Sequence, residues 1–152
     1  MSDKFLEIIT NKKARFNYEI IETFEAGLAL LGTEVKSIRA KKISLQESYA
    51  FLRKGEIFIT KMNIAEYERG NRFNHQPLRE RKVLLHKQEI KKLTGKLQEK
   101  GLTLIPLKIY FKNGKVKTLL GLARGKAKYD KRKTIQDRDA KRDLAREMKK
   151  FQ

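Results

Sequence analysis

The dipeptide Asn113-Gly114 constrains the fold of this chain more than any other pair of residues. It separates two runs of clean alternation: Ile105, Leu107, Ile109 and Phe111 before it, Val116, Thr118, Leu120 and Leu122 after it. Asn-Gly readily takes the positive φ angles of a tight hairpin turn, and such a turn matches the twist of its flanking strands. A long antiparallel hairpin is predicted. Pro106 inside the first strand has no N–H to give a ladder, so it belongs at an edge or a bulge.

The rest of the chain fits a mainly β fold. Residues 16–26 alternate, with Phe16, Tyr18, Ile20 and Phe24 on one side, and read as a strand. Gly27 interrupts that strand and 28–31 continue the apolar run. Gly32-Thr33 offers an N-cap, and Leu31, Val35 and Ile38 recur at helical spacing, so 33–40 is a short helix. Residues 49–53 and 56–64 are two strands joined by Lys54-Gly55, apolar on both faces as in a barrel. The polar stretch 66–81 is a long loop, a length that is usually functional or disordered. His86, Ile90, Leu93 and Leu97 then form one helical stripe that stops near Gly101. A small antiparallel barrel, closed or partly open, with two or three flanking helices fits best.

Charge points to the partner. Lys and Arg number 37 against 18 Asp and Glu, a formal charge of +19. Residues 124–152 hold 12 of the basic and 5 of the acidic residues with few apolar ones, so +7 sits on a tail and +12 remains on a body of residues 1–123. The tail cannot bury enough apolar surface to offset its ordering entropy and is expected to be disordered when free. A basic arm on a basic body points to nucleic acid, bound with release of counterions. No segment approaches ~18 consecutive apolar residues, so a membrane is not expected. The N-terminal stretch has no apolar core of a signal peptide, and the chain has no cysteine; a soluble cytoplasmic protein is expected.

Catalytic sets are missing. His75 and His86 are the only histidines and neither has a metal-ligand partner at a suitable spacing. No phosphate loop or nucleophile elbow occurs, which favours a binder without metal or cofactor over an enzyme. Arg69, Arg72, Arg79, Arg81 and Lys82 crowd the long loop, interleaved with Tyr67, Phe73 and Asn74, a pattern suited to phosphates and unpaired bases. Glu25, in Phe24-Glu25-Ala26-Gly27, is either a surface ion-pair partner or an acceptor for base amino and ribose hydroxyl groups. Drawn as a helix from Thr134, the tail gathers Arg138, Lys141, Arg142, Arg146 and Lys149 on one side. Asp139, Asp143 and Glu147 lie on the other, flanked by Leu144, Met148 and Phe151. This reads either as the lining of an RNA channel or as an exposed helix held by i,i+4 pairs.

Five strings occur in order along nearly the whole chain: NKKARFNYEI, FEAGLALLGTEVKSIRAKKISLQESYAFL, NHQPLRERKVLLHKQEI, LTLIPLKIYFKNGKVK and GKAKYDKR. Together they resemble the SsrA-binding protein (small protein B) family, the bacterial partner of transfer-messenger RNA in ribosome rescue. The resemblance implies an oligonucleotide-binding-fold barrel whose body grips the tRNA-like domain of that RNA. It implies RNA contacts for Glu25, Leu84 and His86, the last at a position often held by Asn. It implies a tail, helical on the stalled 70S ribosome, that enters the small-subunit decoding centre and the empty mRNA channel. Gly125, Lys126, Tyr129, Asp130, Lys131 and Arg132 match the tail motif, and Met148 falls on its helical part. Ala127 stands where the family commonly has Lys, and Tyr129 where it often has His. A monomer in solution is expected.

Overall fold

The computed structural model describes residues 4–69 and 74–125. Its elements are β1 (Phe5–Thr10), α1 (Lys12–Asn17), β2 (Tyr18–Leu28), α2 (Gly32–Arg39), β3 (Ile43–Ser44), β4 (Tyr49–Arg53), β5 (Glu56–Thr60), β6 (Asn63–Ile64), β7 (Arg81–Leu84), α3 (Lys87–Leu97), β8 (Leu102–Lys112) and β9 (Lys115–Gly125). The predicted hairpin is the frame. β8 and β9 pair from Lys112↔Lys115 back to Leu102↔Arg124, around Asn113 (φ 53°) and Gly114 (φ 78°).

Every pairing is antiparallel, and the order β8-β4-β5-β7-β2-β9 returns to β8, closing a barrel. Closure removes the exposed strand edges of an open sheet. β1 lies alongside, sharing with β4 one edge of β8: Ala50 pairs with Leu104, and β1 takes the stretch from Lys108 to Lys112. β3 and β6 form a separate two-stranded ribbon. The barrel is filled from inward positions, with Phe24, Ile57, Ile59, Leu104, Ile109, Leu120 and Leu122 buried together with Ile38 of α2 and Leu93 of α3. No helix among the described residues is long and apolar enough to cross a membrane.

Pro106 sits at a bulge, as its missing donor requires: it pairs with Leu120, and the next pair is Lys108↔Leu119, leaving Leu107 as the extra residue. Leu107 then fills a small second core outside the barrel with Ala14, Ile105 and Ala123, roofed by α1. Gly121 makes room for it, since a Cβ there would stand 2.8 Å from Leu107 Cδ1. Asn11 ties the bulge to the helix. Its N–H donates to the Leu107 carbonyl (2.7 Å), its Nδ2 donates to the Pro106 carbonyl (3.1 Å), and its Oδ1 accepts from Ala14 N–H to cap α1.

Five sequence expectations change. The strand expected from Phe16 begins at Tyr18, because 12–17 are the capped helix α1. Gly27 does not interrupt β2, which runs on to Leu28 with Gly27 opposite Leu84. The helix α2 is capped by Leu31, whose N–H donates to Glu34 Oε1 (2.8 Å), and not by Gly32-Thr33. The expected strand 56–64 stops at Thr60, Lys61 takes φ 59°, and Asn63–Ile64 joins the ribbon with β3. The sheet also carries on to Gly125, which pairs with Tyr18, beyond the expected body boundary at Ala123.

Candidate nucleic-acid interface

Inward Phe24, Ala26 and Leu28 turn Glu25 and Gly27 to the outside of the barrel. Glu25 lies opposite Leu119 and Gly27 opposite Lys117 on β9; β8 follows, with Tyr110 opposite Lys117 and Lys112 opposite Lys115. The carboxylate reaches across β9 to these β8 side chains. Tyr110 OH donates to Glu25 Oε2 (2.5 Å), and Lys112 Nζ donates to Oε1 (3.3 Å). The Tyr110 hydrogen bond, then Lys112 and the charge of Lys117, outweigh partial burial and hold the Glu25 carboxyl below its ordinary value. Burial pushes the Tyr110 phenol far up, reinforced by the neighbouring carboxylate, so it is a neutral donor at any ordinary pH. Phe5 of β1 covers the tyrosine, ring centroids 4.8 Å apart.

On the other side of β2, Leu84 is exposed beside Gly27. A groove of about 390 Å³ runs here, lined by Gly27, Leu30, Val35, Leu84, Lys115 and Lys117. The structure thus brings Glu25 and Leu84 to one outer face and adds three lysines to them. A larger groove, about 570 Å³ between α1 and the start of β4, holds none of the expected body RNA-binding residues. Size does not locate this site; residue chemistry does.

The arginines of the long loop divide. Arg81 is fully buried, which corrects its place among the expected RNA contacts. Its Nε donates to Glu34 Oε2 (2.6 Å), its Nη1 to the Met62 carbonyl (2.5 Å) and its Nη2 to the Gln76 carbonyl (3.4 Å). The guanidinium has no face left for a phosphate. Its partner Glu34 is buried too and also accepts from Arg79 Nη2 (2.5 Å). Burial pushes Glu34 up, but Arg79, the Leu31 N–H and Arg81 outweigh it and leave the carboxyl below its usual range. Arg79 is half-buried and reaches the Ala29 carbonyl as well (3.4 Å). Lys82 is exposed and pairs with Glu56 (3.2 Å), and Arg69 is exposed in a turn. Arg72 lies outside the described residues.

Both histidines find structural places. His75 is buried between Thr33 Oγ1 (2.9 Å at Nδ1) and the Ile64 carbonyl (2.8 Å at Nε2). A carbonyl only accepts, so Nε2 carries the proton and the threonine hydroxyl donates to Nδ1. His86 is the exposed N-cap of α3, its N–H donating to Glu89 Oε1 (3.4 Å). At the mouth of the loop, the Asn74 side chain bridges both main-chain groups of Tyr67, with Nδ2 to the carbonyl at 2.7 Å and Oδ1 from the N–H at 3.2 Å. Among the described residues no group of three or more His, Cys, Asp or Glu is placed to hold a metal.

Sequence reasoning missed Tyr110, Lys112 and Lys117. The signal was present: all three fall on outward positions of the hairpin that Asn113-Gly114 defines. Of the tail set, Gly125 closes β9, while Lys126, Tyr129, Asp130, Lys131, Arg132, Arg138, Lys141, Arg142, Arg146 and Met148 lie outside the described residues.

Comparison with known proteins supplies the context. A family described as "SmpB protein" matches residues 8–150. The chain is 55% identical over 150 residues to the SsrA-binding protein of Thermosynechococcus vestitus, covering 98% of this chain and 99% of that one. It is 58% identical over 142 residues to the SsrA-binding protein of Acetivibrio thermocellus, covering 93% and 92%. A chain in a solved structure described as "tmRNA-SmpB: a journey to the center of the bacterial ribosome" is 54% identical, with a TM-score of 0.67 over 79% of this chain and 85% of that one. The chain belongs to the SmpB, or SsrA-binding, protein family.

Proposed function

We propose that this chain is an RNA-binding factor, not an enzyme, that binds the tRNA-like domain of transfer-messenger RNA and delivers it to stalled ribosomes for tagging of the nascent chain. Its place of work is the cytoplasm and it acts as a monomer. One observation carries the proposal at the level of residues: an exposed carboxylate, oriented by a neutral phenol, stands among Lys112, Lys115 and Lys117 beside exposed Leu84. Lysines supply the phosphate attraction that any RNA would feel. Glu25 repels phosphate and accepts from base N–H or ribose hydroxyl groups, so it selects the place where such donors are presented. Leu84 offers apolar surface for a base. Lys82, Arg69, Arg72, Arg79 and His86 are the further RNA contacts of the body in this reading.

The division of labour falls at the end of β9. The barrel carries RNA affinity, and residues beyond Gly125 occupy the decoding centre and empty mRNA path. The test uses a reconstituted stalled ribosome and measures both RNA binding and alanine transfer to the nascent chain. Removing everything after Gly125 is expected to leave binding to the tRNA-like domain nearly intact and to abolish transfer. Normal transfer by the truncated chain overturns the role of the tail. Equal binding to the tRNA-like domain and to unrelated ribosomal RNA hairpins overturns the role of the body.

A further inference from the structure

The geometry points to Tyr110 as a positioning residue: it fixes the Glu25 carboxylate so that the remaining acceptor sites of that group face an RNA donor, and it thereby sets the selectivity of the face. This inference rests on the RNA-binding role proposed for Glu25. Tyr110 is almost fully buried although it lies on an outward position of β8, because Phe5 covers its ring. It therefore has little surface to offer an RNA directly. Its hydroxyl nevertheless crosses over β9 to one oxygen of an exposed carboxylate. An ionised carboxylate has about four acceptor sites. Tyr110 and Lys112 use two, and a fixed plane leaves the others in fixed directions.

The identity of the donor matters. A third cation in the place of the phenol would neutralise the carboxylate and attract phosphate to a position where Glu25 is meant to exclude it. A neutral phenol orients without adding charge. The charged and titratable groups facing Glu25 are Tyr110 and Lys112 from β8 and Lys117 from β9, while Glu7 on β1 lies opposite Tyr110. Loss of the phenol hydroxyl removes the largest influence that favours the ionised carboxylate, so Glu25 would take up a proton at higher pH.

The experiment measures affinity of the full chain for a tRNA-like-domain RNA across pH, for the wild type, Tyr110→Phe, Glu25→Gln and the double variant. Tyr110→Phe keeps the ring under Phe5, and circular dichroism with thermal unfolding verifies the fold. The expected result is a roughly two- to tenfold loss of affinity in Tyr110→Phe, the scale of one hydrogen bond. The acid fall-off of binding should move to higher pH, and the same change should do nothing further in the Glu25→Gln background. Wild-type binding by Tyr110→Phe, or an equal loss in both backgrounds, overturns the positioning role and leaves Glu25 itself untouched. Wild-type binding by Glu25→Gln is a different outcome: it removes the RNA role of Glu25 and this inference with it.

Discussion

Glu25 and Glu34 stand in the same basic chain, and both carboxyls are held below their ordinary pKa. Their surroundings differ completely. Glu34 is buried, its oxygens taken by Arg79, Arg81 and the Leu31 N–H, and what it joins is α2 to the end of the long loop. Glu25 is exposed on the barrel wall, with one phenol and one lysine at hydrogen-bond distance. The lesson concerns saturation. A carboxylate whose acceptor sites are filled from within the chain belongs to the fold; one left partly filled at the surface is available to a ligand.

The sharpest way to break this contrast is to remove the buried charge. Glu34→Gln leaves Arg81 charged, buried and without its anion, and is expected to cost about 3–5 kcal/mol in urea unfolding. The pH dependence follows the same ion pair. Because the folded Glu34 pKa is depressed, its contribution to stability is complete above the unfolded carboxyl pKa. That contribution disappears as pH falls through the lower folded value. Unfolding scans between neutral and acid pH should therefore show a shallower acid loss in Glu34→Gln than in the wild type. An unchanged acid slope would mean that other carboxylates govern it.

A smaller effect sharpens the distinction between charge and geometry. Arg81→Lys keeps the charge but not the fork that meets Glu34, Met62 and Gln76 together, and should cost about 2 kcal/mol. Where the variant remains folded, its RNA affinity should equal that of the wild type, since residue 81 never reaches the surface. A drop in affinity at intact fold would return Arg81 to the RNA-binding set. The smallest effect on stability belongs to Glu25→Gln, within about 0.5 kcal/mol as for an ordinary surface change. It should still weaken binding of the tRNA-like domain while net positive charge rises by one, the opposite of what bulk electrostatics demands.

Much of the barrel was legible because its signals are local. Asn113-Gly114 and two alternating runs defined the hairpin, Pro106 announced the bulge, and the spacing of Ile90, Leu93 and Leu97 placed α3. β1 gave no such signal. Its pairing partner lies about a hundred residues away, and Phe5 and Leu6 are exposed, so neither a turn nor a clean inside-outside pattern marks it. α1 was hidden by shortness, although Asn11 is a legible cap in retrospect. At the site, residue type indicated Glu25 and the basic loop. Depth was not written there. Arg79 and Arg81 are identical letters two positions apart, and what separates them is that the strand begins at Arg81, which is fully buried, while Arg79 lies before it and stays half-exposed.

The end of β9 has a mechanical consequence. This strand is clamped along its length by β8 on one side and β2 on the other, with Tyr18 and Leu102 engaging its last residues. Any tension applied to the chain beyond Gly125 along the strand axis is met by two hydrogen-bonded ladders loaded in shear, many bonds at once. An edge strand would instead peel one bond at a time. The barrel is thus a mooring for whatever is threaded past its last strand, and it can keep its shape while the far end of the chain is pulled.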